Sequence, residues 1–196
     1  AEYFSKYIQT QPEASRLADA NLRLGDSYFA AGKYWPAMEA YDKVITANVI
    51  NTDYAAFQKA ISYGIVDRVP KKIEALNAFI THYPKSNLRE DAIYELANTY
   101  VGQGKMEKAS ELYEMLQSQY QEGTYTARAM LREGLMLYNK NENQKALAIF
   151  KKITQKYPSS PEAMQAVSSA KNIYAEMGKM EEYAAWAKGL GYVKVS

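Results

Sequence analysis

The sequence predicts an all-α fold, a solenoid of about five helical hairpins led by one further helix. Three observations predict it. In the stretch Leu88 to Tyr120, Ile93, Leu96, Ala97 and Tyr100 recur at three- and four-residue spacings, and Ala109, Leu112, Tyr113 and Leu116 repeat the pattern. Each set forms one apolar stripe on a helix. Gly102 and Gly104 interrupt the two stripes, so the helices meet across a turn at Gly104-Lys105. Finally, the unit recurs, with turns read at Gly32-Lys33, Arg68-Val69, Gly104-Lys105, Asn141-Glu142 and Gly178-Lys179, at intervals of 36 or 37 residues.

The elements follow in order. Residues 1–12 read as the second helix of a truncated repeat, because Phe4, Tyr7, Ile8 and Pro12 stand where Leu76, Phe79, Ile80 and Pro84 stand. Pro12, Pro84 and Pro158 each lie 20 residues before a turn, and a proline there closes one helix and opens the next. Pro12-Glu13 is therefore expected to start a new helix with Leu17, Asn21, Leu24 and Tyr28 along one side, and Pro36 fits the first turn of its return helix. Residues 13–48 make the first hairpin and 49–84 the second, whose turn spans Asp67 to Pro70. Hairpins at 85–121 and 122–158 follow, the latter turning at Asn141, a residue that tolerates left-handed geometry. The last, 159–188, opens on Ser160-Pro161-Glu162, a capped start with proline at the first helical position. Residues 189–196 leave the helical pattern at Gly189-Leu190-Gly191, and Tyr192 to Val195 is the one strand-like run.

Further marks keep the same register. A small residue stands seven before the turn at Gly25, Ala97 and Gly134, and five after it at Ala37, Ala109 and Ala146. Tyr41, Tyr113 and Phe150 follow four residues later, and Tyr28, Tyr100 and Tyr174 precede the turn by four. A tandem unit carrying Leu24-Gly25, Tyr28, Gly32-Lys33, Ala37 and Tyr41 resembles the tetratricopeptide repeat family. The resemblance covers nearly the whole chain. It implies a right-handed α-α superhelix and a protein-binding role without catalysis. The junctions His82-Tyr83-Pro84-Lys85-Ser86 and Lys156-Tyr157-Pro158-Ser159-Ser160 are similar to those of bacterial envelope members of the family, of the outer-membrane assembly and Tol-associated type. Residues 181–196 are similar to a connecting segment between repeat arrays in long Bacteroidetes proteins of this kind. The second repeat departs from the pattern, with Ile61, Gly64 and Ile73 at the aligned marks, and so does the fifth, with Lys171 and Tyr183.

Composition narrows the function classes. Hydrophobic residues at 47% suffice for a continuous core, and 23% charged residues cover the outside. A net charge of +2, with Lys and Arg dispersed among acids, lacks the footprint of a nucleic-acid binder. The absence of cysteine excludes disulfides and thiolate metal sites. No run reaches the length of a transmembrane helix. Beginning on the back half of a repeat, the chain reads as a fragment of a longer protein, so that a signal sequence or lipid anchor would lie upstream. The expected compartment is the bacterial periplasm or the periplasmic face of the outer membrane, with the cytoplasm as the alternative.

Residue chemistry argues against an enzyme. His82 is the sole histidine, placed at a helix end where a capping role suffices. Glu90-Asp91 and Glu181-Glu182 fall in first turns, where the helix dipole explains them. Gly102-Gln103-Gly104 follows a helix and lacks the Lys-Ser/Thr of a phosphate loop. No catalytic residue, cofactor or metal is expected.

The resemblance places a partner's peptide or helix in the concave face lined by the first helix of each hairpin. Aligned on the turns, that face comprises Asp19, Leu22, Asp26 and Phe29, then Asp91, Tyr94, Asn98 and Val101, then Arg128, Leu131, Arg132, Leu135 and Tyr138, and finally Gln165, Ser168 and Asn172. Tyr94, Leu131 and Tyr138 would serve as anchors and Asn98 and Arg128 as hydrogen-bonding groups. Arg128 and Arg132 match two basic positions of the family's carboxylate clamp, whereas Leu22, Asp26 and Glu95 do not match the rest. The expected partner is a protein. Two other readings are a cytoplasmic adaptor or co-chaperone, and a glycan- or peptidoglycan-binding module that would expose tyrosines in the groove.

Overall fold

The computed structural model describes residues 2–191, with side chains from Pro12 onward. Over these residues the chain forms α1 (Glu2–Ala30), α2 (Tyr34–Ala47), α3 (Thr52–Ile65), α4 (Val69–His82), α5 (Arg89–Gly102), α6 (Met106–Gln119), α7 (Thr126–Asn139), α8 (Asn143–Lys156), α9 (Pro161–Glu176) and α10 (Met180–Gly189), with no strand among them. The expected strand-like run, Tyr192 to Val195, lies outside the described residues. The fold is all-α and built from tandem hairpins. It divides into two compact units, Ala1–Thr99 and Tyr100–Ser196. In a repeat array each hairpin packs on its neighbours.

One turn closes all five hairpins. The residue in left-handed geometry is Gly32, Asp67, Gly104, Asn141 or Gly178, with φ between 59° and 72°. The next backbone N–H reaches back to a carbonyl five residues earlier: Lys33 to Tyr28, Arg68 to Tyr63, Lys105 to Tyr100, Glu142 to Leu137 and Lys179 to Tyr174, all at 2.8–2.9 Å. This 6→1 bond satisfies a helix-end carbonyl and needs the positive φ, which glycine adopts freely and Asn and Asp tolerate. The second turn therefore pivots on Asp67, one residue before the Arg68 mark read from sequence. Moving the register by one restores the pattern: Ala60 takes the small position and Leu76 the large one, both with no exposed surface.

Small and large residues meet as the spacing predicts. A Cβ on Gly25 would stand 2.6 Å from Tyr41 Cε1, and one on Gly134 would stand 2.6 Å from Phe150 Cε1. Both rings are fully buried. In the second hairpin the alanine position five after the turn holds Lys72. Its stem lies over Gly64, where a Cβ would come 2.7 Å from Lys72 Cδ, and its ammonium pairs with Glu95 at 2.6 Å. In the fifth hairpin the same position holds Tyr183, and the large position nine after the turn has shrunk to Ala187, both buried.

The first unit has a core of Leu22, Ala37, Tyr41, Val44 and Ala55. The second gathers residues of α7 to α10, including Met130, Phe150, Ile153, Val167, Ile173 and Tyr174. Tyr174, Tyr183 and Trp186 lie within 6.3–6.5 Å of one another, and Lys151 of α8 reaches over Tyr174 and Trp186. Ser160 caps α9 as expected, accepting from Ala163 N at 3.1 Å.

One expectation for the first helix fails. Pro12 does not end a helix; α1 runs through it as one element. Pro84 and Pro158 stand in Tyr-Pro-Lys-Ser and Tyr-Pro-Ser-Ser, where turn-forming residues follow, whereas Pro12 is flanked by Gln11, Glu13 and Ala14. A lost hydrogen bond alone is then insufficient to stop the helix. Leu17 and Leu24 are exposed. The buried side of α1 is Ala18, Leu22 and Gly25, fixed by the close approach of Tyr41 at Gly25.

Candidate partner-binding face

The residues expected to line a groove separate into three groups. Leu22, Tyr94 and Leu131 are at most 9% exposed; Leu22 and Leu131 belong to the two cores. They hold the fold together and are not presented to a partner, which corrects the expectation that Tyr94 and Leu131 are anchors. Leu22 and Leu131 sit three residues from Gly25 and Gly134, the contact points with the return helices, and so turn inward with them.

A second group is tied within its own unit. Asp26 accepts hydrogen bonds from the hydroxyls of Tyr41 at 2.6 Å and Tyr54 at 2.9 Å, joining α1, α2 and α3. Burial first, then this carboxylate, raise the pKa of both phenols. Phe29 packs edge-on against Tyr34 at 5.3 Å, and Asp19 pairs with Arg23 one turn along α1. Asp91, Asn98 and Val101 are half-buried.

The third group lies in the second unit, where α7 packs beside α9. Arg128 pairs with Glu162 at 3.5 Å and lies 5.9 Å from the Tyr125 ring. Three turns on, the Tyr138 hydroxyl donates to Glu176, and this bond raises the phenol's pKa. Between these two ties Arg132 and Leu135 of α7 and Gln165, Ser168 and Asn172 of α9 are exposed. The result is a short strip with one cation, one leucine and three small polar groups, on two helices fixed to each other at both ends.

Sequence reasoning missed the carboxylate behind this strip. Glu133, 8% exposed, accepts from Gln117 Nε2 at 2.6 Å and from Ser110 Oγ at 3.4 Å, both on α6. Its position within a stripe of apolar residues was the available signal. Burial raises its pKa above the usual carboxylate range, and Glu114 adds to the effect. A raised folded pKa means that the protonated form fits the fold better; its contribution is present in full below about pH 4.5 and is lost as pH rises through the folded pKa. Glu133→Gln is therefore expected to unfold at higher temperature than wild type at pH 7, with the gap closing below pH 4.5; thermal unfolding across this range measures it.

Around His82 the polar groups are engaged in the loop. Its Nδ1 bonds Ala78 O at 2.8 Å. Ser86 Oγ donates to Asp53 at 2.5 Å and accepts from Leu88 N, so the serine fastens the α4–α5 loop to the start of α3. Among the described residues no cluster of three or more His, Cys, Asp or Glu side chains could hold a metal ion, and no helix is long and apolar enough to cross a membrane.

Residues 19–48 and 94–161, together half of the chain, match the tetratricopeptide repeat family. No curated protein sequence matches the chain. Among solved structures, a MamA protein aligns with a TM-score of 0.65 at 20% identity, over 90% of this chain and 91% of that one. A second MamA structure gives 0.63 at 22% identity, over 85% and 92%. The nearly identical TPR-like repeats of a kinesin light chain candidate from Podosopora anserina give 0.58 at 18% identity, over 90% and 93%. At such identities these structures speak for the fold. The stretches 19–48 and 94–161 match the tetratricopeptide repeat, and the solved structures share the repeat fold.

Proposed function

We propose that the chain is a non-catalytic scaffold that binds an extended segment of a partner protein along the α7–α9 strip. The observation that carries this reading is the strip itself: Arg132, Leu135, Gln165, Ser168 and Asn172 are exposed on helices whose mutual position is fixed by Arg128–Glu162 and Tyr138–Glu176. A surface held in place before binding loses little entropy on complex formation. Leu135 offers an apolar seat, Arg132 a cation for an acidic side chain, and Gln165 and Asn172 amides for a peptide backbone. The glycan reading loses its carriers, since Tyr94 is buried and Tyr138 is held by Glu176.

The setting we favour is a bacterial envelope complex, supported by the similarity of the two Tyr-Pro junctions to envelope members of the family. Cross-linking in the source cells that recovered only cytoplasmic partners would remove that part. The binding face itself is tested with peptides selected from a random display library. Arg132→Glu/Leu135→Asp is expected to weaken the selected peptides at least about tenfold, the loss of roughly 1.4 kcal/mol, while Gln155→Glu on the outer side of α8 leaves them unchanged. Peptides indifferent to the first variant would place binding elsewhere.

A further inference from the structure

A first helix that follows another hairpin has one face covered by the return helix before it. Four positions mark that face, fifteen, eleven, eight and four residues before the left-handed turn residue. In α9 they are Ala163, Val167, Ala170 and Tyr174, none more than 5% exposed. In α7 Thr126, Met130 and Glu133 are at most 8% exposed and Leu137 is half-buried. Side-chain bonds identify the covering helix. Glu133 is held by Ser110 and Gln117 of α6, and Lys59, at the same position of α3, pairs with Asp42 of α2 at 2.6 Å.

The equivalent residues of α1 are Leu17, Asn21, Leu24 and Tyr28. Leu17 is 66% exposed and Leu24 43%. Beside them a cleft of about 410 Å³ opens between α1 and α2, lined by Ala14, Ala18 and Ala47 among others. Asn21 and Tyr28 are half-buried, Tyr28 against the first unit's own core, so the part of the stripe left open to water is Leu17 and Leu24, and leucines so placed favour association.

The sequence itself supplies a fitting cover. Residues 2–11 carry the pattern of a return helix, with Phe4 and Tyr7 in the register of Leu76 and Phe79 of α4, which are at most 1% exposed. Within the first unit α4 runs beside α5, joined by Lys72–Glu95 and by Arg89 Nε donating to Ile80 O. Yet α1 is unbroken from Glu2 to Ala30. Its first ten residues extend along the helix axis for about 15 Å and cannot turn back onto the stripe of their own chain. A second copy can present them. We infer that two copies exchange their leading segments, residues 2–11 of each lying on the Leu17–Leu24–Tyr28 stripe of the other, in a twofold-symmetric swapped dimer.

Sedimentation of the full chain tests this. Wild type is expected to be a dimer, and Leu17→Asp/Leu24→Asp a monomer with unchanged helical circular dichroism, since both leucines are exposed. A wild-type monomer up to near-millimolar concentration, or a dimer indifferent to the two aspartates, overturns the proposal. Because the chain contains no cysteine, Tyr7→Cys and Leu24→Cys chains mixed and oxidised report the exchange directly. A disulfide-linked pair of the two variants is expected. If instead the Tyr7→Cys/Leu24→Cys double variant closes the bond within a monomer, the segment folds back at Pro12 and the swap is wrong.

Discussion

Phe150→Ala is expected to lower the free energy of unfolding by about 3–5 kcal/mol, the cost of a large cavity in a close-packed core. The ring has no exposed surface and fills the space left by the missing side chain of Gly134 on the facing helix. The reverse perturbation makes the pair informative. In Gly134→Ala the new methyl would sit 2.6 Å from Phe150 Cε1, below any real carbon contact, so the helices must part or the ring must leave its rotamer, at about 1–3 kcal/mol. Combined, the two changes should cost clearly less than their sum, because the alanine methyl then occupies part of the vacated volume. Urea unfolding of the two single variants and the double variant measures the cycle. Additive costs would show that the two positions do not share one space.

The second large effect concerns Asp26. Asp26→Ala is expected to destabilise by roughly 3 kcal/mol, because it leaves the hydroxyls of Tyr41 and Tyr54 without their charged acceptor, and Tyr41 is fully enclosed. Asp26→Asn, which keeps an acceptor, should cost less. The pH dependence has a definite sign. Burial and the carboxylate raise both tyrosine pKa values above the ordinary value of 10.0, so the folded chain holds these protons more tightly than the unfolded one. Their contribution is present in full below about pH 10 and is lost as pH rises beyond it. Tyr41→Phe/Tyr54→Phe should therefore lose stability less steeply than wild type above pH 10. Equal slopes, followed by urea unfolding, would show that the two phenols carry no such load.

Asp26 also shows where sequence reading stops. The family's groove positions assigned it to a partner, and only the approach of Tyr41 and Tyr54 from two other helices reveals what it does. Periodicity and turn residues were sufficient for the hairpins, since an apolar stripe and a left-handed residue are local in the chain. The second turn was misplaced by one because Asp67 performs the work of glycine without looking like it, and that slip hid Ala60 and Leu76. A stripe, moreover, marks an apolar face and not what lies against it. Leu17 and Leu24 occupy the same register as Ala163 and Ala170, yet within one copy they are exposed. Within the candidate face, the exposed Leu135 and the buried Leu131 differ by one helical turn. Which of them is presented depends on the interhelix contact at Gly134, a tertiary fact.

The exchange of large and small residues between facing helices also bears on how such a chain diverges. Glycine opposes a ring in the first and fourth hairpins, and Gly64 opposes a lysine stem in the second. A mutation at one of these positions is tolerated when its opposite number has already changed, so neighbouring copies drift apart by coupled steps. Recombination that joins half of one hairpin to half of another would break these matched pairs. Exchange at the loops between hairpins would preserve them, which makes the whole hairpin the natural unit of duplication and loss.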